Sequence, residues 1–346
     1  MTRAGWSVVE MDESRISEIQ QLFLHVFGHA LSEGLWRWKY DEGRGMAVGA
    51  LSPEGVLLAH YGGTLREIVF FGVRATTVQI GDVMVAREGR ATFSHKGPFG
   101  MVVDAFLTRH IGHENGTTLG FGFPNARHMR LGEKLGHYVQ VDRIFEMSWR
   151  LRGFGHADNA AGKGPSVEVL DWADTKSMVV LDRLWERMRD DAGDIVIPLR
   201  NGAWFRHRYA NHPNHRYLCW WVCTSEDEPP VGVFVLRSHT PSGTGSGSEA
   251  VWELMDWIAP LSQTRNILRA AKDVVERSGG GRLMGWFSSV LRNALSGTGA
   301  TDQEACTTGV TFPVNGLNFP LDSAPALTVN GLKGKWWLTG GDTDFR

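Results

Sequence analysis

Hydrophobic positions along the chain change their period several times, and the changes mark its elements. Residues 6–10 alternate as a strand does. Asp12 or Ser14 can cap the helix that follows, where Ile16, Ile19, Leu22, Phe23, Val26 and Phe27 recur on one face. Short apolar segments at 46–51, 56–62, 65–71 and 74–80 are separated by turn residues and read as an antiparallel meander. The stretch 78–112 organises what comes next. Residues 78–86 suit a buried strand, 87–96 are polar, and Gly97-Pro98-Phe99-Gly100 opens a helix. Phe99, Val102, Val103, Phe106 and Leu107 repeat at helical spacing until Gly112. A second strand at 117–123 leads through Pro124-Asn125 into a helix over 126–135 ended by Gly136, and residues 138–151 read as one more strand.

A helix that starts on glycines after a strand offers free amides and a positive dipole end to an anion. Pro98 forfeits only an amide that would be unpaired there. The same spacing also fits a plain tight strand-to-helix connection. It is not a Walker loop, because no Gly-Lys-Ser/Thr follows, and it does not match Gly-x-Gly-x-x-Gly.

The pattern then recurs. After the Gly- and Ala-rich stretch 153–165 come a strand at 167–170 and a helix carrying Val180, Leu184 and Met188. Trp204 falls where Trp36 fell; strands at 218–224, 231–237 and 251–258, a helix at 267–277, a strand at 282–287 and a helix at 288–295 follow. Trp36 and Trp204 are separated by nearly the same stretch of chain as Phe123 and Phe287, so the chain reads as two copies of one fold. The predicted domains are 1–152, a linker at 153–165, and 166–346. The second copy has no glycine between Ile258 and Ile267, which leaves one expected anion site, in the first half.

Strand, glycine-flanked turn, helix, strand, Pro-Asn, helix resembles the acetyl-CoA-binding core of the GNAT (GCN5-related N-acetyltransferase) superfamily in its two-copy form. The resemblance rests on Val83-Met84-Val85, Lys96 to Gly100, Phe123-Pro124-Asn125 and Glu133-Lys134-Leu135-Gly136-His137. The second loop glycine stands one place later than in the usual family loop. The implied fold is α/β (α+β), two tandem domains, each a mixed, mostly antiparallel sheet flanked by helices. The implied donor is acetyl-CoA, held by Met84, Val85, Lys96, Gly97, Pro98, Phe99, Gly100, Met101 and Asn125. The family commonly takes its acid from a helix tyrosine, but that slot here is Gly132; His128, one turn earlier, is the substitute, with Asp82, His60 and Tyr61 as further candidates. At the chain end Gly340-Gly341-Asp342-Thr343-Asp344 follows paired tryptophans. Similar tails in two-copy relatives imply that Asp342 faces the substrate amine and Asp344 assists its proton, with Trp36 as apolar wall. An exposed acidic terminus reads equally well from the residues alone.

Composition narrows the choice. Net charge is −2, without the basic excess that nucleic-acid binding needs. The 3 cysteines, Cys219, Cys223 and Cys306, do not make a disulfide framework. The start lacks the apolar core of a signal peptide and no run approaches a membrane span, so a cytoplasmic protein is expected. Asn115-Gly116-Thr117 then reads as a turn rather than a glycosylation site. The histidine pair His25/His29 and the group His207, His212 and His215 lack the partners of a metal site, and no metal is expected. The expected function is acetyl transfer from acetyl-CoA to a small-molecule amine such as an amino sugar. The alternative is a non-catalytic binding or scaffold protein on the same fold. The acceptor and the oligomeric state, a homodimer included, are not legible.

Overall fold

The computed structural model describes residues 5–91, 96–112, 116–151, 165–225, 228–239, 250–303, 314–318 and 329–343. The chain forms two compact units. The first comprises Met1–Ile68, Arg74–Val141 and Pro313–Lys333; the second comprises Val69–Val73, Asp142–Phe312 and Gly334–Arg346.

In chain order the elements are β1 (Ser7–Glu10), α1 (Ile16–Phe27), α2 (Glu33–Tyr40), β2 (Gly45–Leu51), β3 (Leu57–Phe70), β4 (Val73–Val85), α3 (Pro98–His110), β5 (Gly120–Gly122), α4 (Ala126–Lys134) and β6 (Tyr138–Arg150). The second half supplies β7 (Ser166–Val169), α5 (Thr175–Asp190), β8 (Val196–Pro198), α6 (Gly202–Phe205), β9 (Leu218–Cys223), β10 (Gly232–His239), β11 (Val251–Ile258), α7 (Thr264–Arg277), β12 (Arg282–Ser288), α8 (Ser289–Ala294), β13 (Thr301–Gln303), β14 (Val314–Asn318) and α9 (Val329–Leu332). The Gly- and Ala-rich segment expected as a linker lies almost wholly outside the described residues.

Each unit holds a mixed sheet of the same order. In the first, β1, β2 and β3 run antiparallel; the end of β3 and the Phe71-Gly72 turn, with φ of 47° and 83°, count with the second unit before the chain returns along β4. β5 is parallel to β4 and β14 antiparallel to β5. In the second, β7, β9, β10 and β11 run antiparallel, β12 is parallel to β11, and β6 is antiparallel to β12. The single parallel step in each sheet is bridged by α3 or α7, as a crossover connection requires.

The sixth strand of each sheet comes from the opposite half of the chain. Residues 138–151, expected to close the first half, leave only Tyr138–Val141 there, while Ile144–Arg150 pair with Ser288–Arg282 of β12. In return β14 pairs its Gly316–Asn318 segment with β5. The units therefore divide inside β6, not near residue 153. Period-2 patterning specifies a strand and its buried face but not which sheet edge receives it.

The first sheet is covered on both faces. Tyr61, Val78, Phe99, Val102 and Phe106 pack on the α3 side; Met11, Ile19, Trp36, Tyr40 and Met84 pack on the α1 and α2 side. The second core is built around tryptophan: Trp149, Trp185, Trp257 and Trp337 are all fully buried in it.

Candidate active site

β4 is interrupted by chemistry, not by composition. Asp82 sits in the left-handed region at φ 50° inside the strand. That conformation costs a non-glycine residue of order 1–3 kcal/mol and persists only where its surroundings hold it. Here Lys39 Nζ donates to Asp82 Oδ1 at 2.8 Å and Tyr40 Oη donates to Oδ2 at 2.8 Å. His60 Nδ1 lies 2.7 Å from the Asp82 carbonyl, which can only accept, so Nδ1 carries the proton. The parallel pairing of β4 with β5 covers Val78–Ile80 opposite Gly120–Gly122 and no further, so the two strands separate just before this kink. Past the kink Met84 is buried toward α1 and α2, whereas Val85 packs toward α3.

Burial pushes the Asp82 carboxyl up, but the charge and hydrogen bond of Lys39 outweigh it, and the net shift is downward. A depressed carboxyl contributes stability above the ordinary aspartate range, near pH ~4, that is lost as pH falls through its folded value. Lys39→Met is therefore expected to cost about 3–5 kcal/mol at pH 7, because it strands a buried carboxylate. The gap to wild type should close as Asp82 takes up a proton in acid. Urea unfolding at pH 7 and pH 3 measures both; a gap independent of pH would assign Lys39 to packing alone.

The chain next builds a helix start. Gly97 is the N-cap of α3 with Pro98 at its first position, and no side chain caps it. The Met101 amide donates to the Gly97 carbonyl at 3.0 Å and is consumed by the helix, and Pro98 has none. The amides that the first turn leaves for a ligand are those of Gly97, Phe99 and Gly100. This corrects the sequence reading, which included Met101 and Pro98. The Phe99 side chain is core, so Phe99 could contribute only its backbone. Lys96 is exposed beside the loop. In the second unit the turn that leads into α7 has no glycine, and its Leu261 amide donates to Asp191 Oδ2 at 3.0 Å.

α4 completes the site. Asn125 is its N-cap and accepts from the His128 amide at 2.9 Å, so the side chain assigned to ligand already serves the helix. The His128 ring is half-buried and meets Phe99 edge-on at 5.5 Å between centroids. Its Nε2 lies 3.4 Å from Tyr138 Oη, which in turn lies 2.7 Å from Tyr61 Oη. Desolvation pushes the His128 pKa down to about 4, so the imidazole is neutral at pH 7. It can serve as a neutral donor or acceptor there, not as a standing imidazolium acid. Sequence reasoning missed Tyr138. The signal was Gly132: a Cβ there would fall 2.1 Å from Tyr138 Cδ2, so the absent side chain leaves room for that ring.

Other expected site residues are placed elsewhere. Trp36 is 4% exposed and stacks on Tyr40 at 5.3 Å in the core, so it lines no surface. Asp342 is 2% exposed and forms an ion pair with the fully buried Arg200, which removes it from the substrate role. Burial of Trp336 and Trp337 draws the tail inward and takes Asp342 with it. Asp344 lies outside the described residues. His212 accepts from the Asn214 and His215 amides, a turn-capping role. Among the described residues no group of three or more His, Cys, Asp or Glu could hold a metal, and no helix is long and apolar enough to cross a membrane.

No protein-family model matches the chain, and no curated protein sequence does. Solved structures do match. A conserved protein of Enterococcus faecalis V583, described as a probable N-acyltransferase, superposes with a TM-score of 0.65 at 14% identity, over 92% of this chain and 73% of that one. A GCN5-related N-acetyltransferase from Kribbella flavida gives 0.59 at 14% identity, over 91% and 71%. The Saccharomyces cerevisiae N-myristoyltransferase with bound myristoyl-CoA gives 0.55 at 11% identity, over 90% and 80%. Likeness at such identity is a likeness of fold, and it extends over about nine-tenths of the chain.

Proposed function

We propose that this chain, whose fold is that of the GCN5-related N-acetyltransferases, is an acyl-CoA-dependent N-acyltransferase with its donor site in the first unit. The observation that carries the reading is the pairing of two features in successive elements. One is the kinked β4 that parts from β5; the other is the glycine start of α3 with three amides left over. The helix start suits a pyrophosphate, and the parted strands suit an acyl chain that must lie across a sheet. Acetyl-CoA is the donor we assign. A longer acyl group is the variant suggested by the myristoyl-CoA bound to the yeast neighbour.

The residues divide the chemistry in a simple way. A backbone amide just past the kink, at Met84 or Val85, would donate to the thioester oxygen as it gains charge. A neutral amine attacks the carbonyl carbon, the C–N bond forms and the C–S bond breaks, with its electron pair leaving on sulfur. Water carries the amine proton away. His128, one ring from the first turn of α3, is the donor placed for the sulfur side. We assign a small amine as acceptor, amino sugars included. A second reading is favoured by the depressed His128 pKa: with no standing acid, the fold could bind acyl-CoA without turnover.

Thiol release from acetyl-CoA over a panel of amino sugars, polyamines and peptides with free N-termini tests both. Amine-dependent release is expected. A ligand-induced rise in melting temperature without release from any amine would establish the binding-only reading. Neither effect, with acetyl-, butyryl- or myristoyl-CoA, would remove the donor site.

A further inference from the structure

The hydroxyl–hydroxyl–imidazole row Tyr61, Tyr138, His128 has a fixed proton count, and that count bears on the site just proposed. Tyr61 is fully exposed to nothing: its relative exposure is 0%, and Tyr138 has 3%. Each hydroxyl carries one proton that must find an acceptor. Between Tyr61 and Tyr138 only one of the two can donate across the 2.7 Å contact. If Tyr61 donates to Tyr138, the Tyr138 proton turns to His128 Nε2, 3.4 Å away, and both hydroxyl protons are used. If His128 instead carried its proton on Nε2 and donated to Tyr138, one buried hydroxyl proton would be left with no acceptor in the row. A buried polar group without a partner is the costly alternative. The row thus selects a neutral imidazole with the proton on Nδ1.

Gly132 belongs to the same device. A β-carbon there would lie 2.1 Å from Cδ2 and 2.2 Å from Cγ of Tyr138, so the ring can reach His128 only because position 132 has no side chain. Phe99, in the first turn of α3, meets the imidazole edge-on.

We infer that His128 acts as a neutral hydrogen-bond donor through Nδ1, that Tyr138 is the positioning residue that sets this tautomer, and that Gly132 admits Tyr138 to do so. The inference rests on the acyltransferase reading for what the donor faces, namely the leaving sulfur, but not for the tautomer itself. No proton needs to be transferred along the row; the hydroxyls hold the ring, and Nδ1–H stabilises the charge that builds on sulfur.

Nitrogen-15 NMR of histidine-labelled full-length protein, with His128 assigned by its loss in His128→Asn, tests the tautomer directly. The expected spectrum at pH 7 has a protonated Nδ1 and an unprotonated Nε2. Tyr61→Phe should keep this pattern, because Tyr138 can still donate to Nε2. Tyr138→Phe and Gly132→Ala should each lose it. In turnover, His128→Asn places an amide donor near Nδ1 and should stay within about 10-fold of wild type. His128→Gln places it near Nε2 and should fall about 100-fold, the scale of one lost transition-state donor, with acetyl-CoA affinity unchanged. An Nε2-protonated His128 in wild type, a pattern indifferent to Tyr138→Phe, or equal kcat for the Asn and Gln variants overturns the inference. A wild-type protein with the expected tautomer but neither acyl-CoA binding nor thiol release would instead sink the acyltransferase reading and leave the tautomer assignment standing.

Discussion

Arg200→Met is expected to cost the second unit about 3–5 kcal/mol, the scale for removing one partner of a buried ion pair. Arg200 has no exposed surface. Its Nε donates to Asp256 Oδ1 at 2.9 Å, one terminal nitrogen donates to the Pro198 carbonyl at 2.7 Å, and the other pairs with Asp342. The guanidinium lies 4.4 Å from the Trp337 ring centroid. Around this centre Tyr209 Oη donates to Asp256 Oδ2 at 2.8 Å, and the Thr339 amide donates to Asp342 Oδ2 at 2.9 Å. Without the arginine the two buried carboxylates lose the cation that both of them bond. Burial already pushes the Asp256 carboxyl up. The variant should therefore regain stability as pH is lowered and Asp256 takes up a proton, more steeply than wild type, in which Arg200 opposes that uptake. Denaturant unfolding at pH 7 and pH 5 reads both effects. A loss below about 1 kcal/mol at pH 7 would class the network with pairs that water screens.

The same network changes what truncation should do. Arg208 donates to the Gly341 carbonyl at 3.0 Å and the Thr343 carbonyl at 3.2 Å. Removing residues 342–346 withdraws Asp342 from Arg200 and Thr343 from Arg208, so it acts on the fold before it acts on any substrate.

Gly100→Asp should abolish acyl-CoA binding altogether. At 100 times its dissociation constant a ligand stabilises wild type by ~2.7 kcal/mol, and the variant should show none of it. The reason is local. Gly100 is buried in the first turn of α3, beside the two other amides left for an anion. A carboxylate there takes the dipole's positive end for itself and repels a phosphate. Gly100→Ala is the control for volume: it should retain part of the shift if space allows. The readout is the change in melting temperature with and without acetyl-CoA, for each protein, against its own unliganded value. A full ligand shift in Gly100→Asp would move the phosphate site away from α3.

Much of this was legible in the residues. The α3 pattern from Phe99 to Leu107, the strand at β11 and the helices α7 and α8 all stand close to where their periodicity puts them. The repeated order of elements is present as two sheets with one parallel step each. The helix start at Gly97 was read as an anion site from two glycines and a proline, and Asp82 and His60 were singled out in the strands they occupy. Each of these depends on contacts within a few residues, which is what periodicity and turn chemistry report.

What the sequence by itself determined is therefore the order of the main helices and strands, the duplication and the glycine-lined helix start. Tertiary structure alone decided four things. It exchanged the last strands, because strand patterning carries no address. It turned Asp342 inward, because burial of Trp336 and Trp337 and the charge of Arg200 outweigh the exposure that an acidic tail would otherwise have. It made Asp82 a kink, because Lys39 and Tyr40, some forty residues earlier, converge on it. And it put Tyr138 over Gly132, a long-range steric fit in which the residue that matters is recognised by the side chain its neighbour lacks.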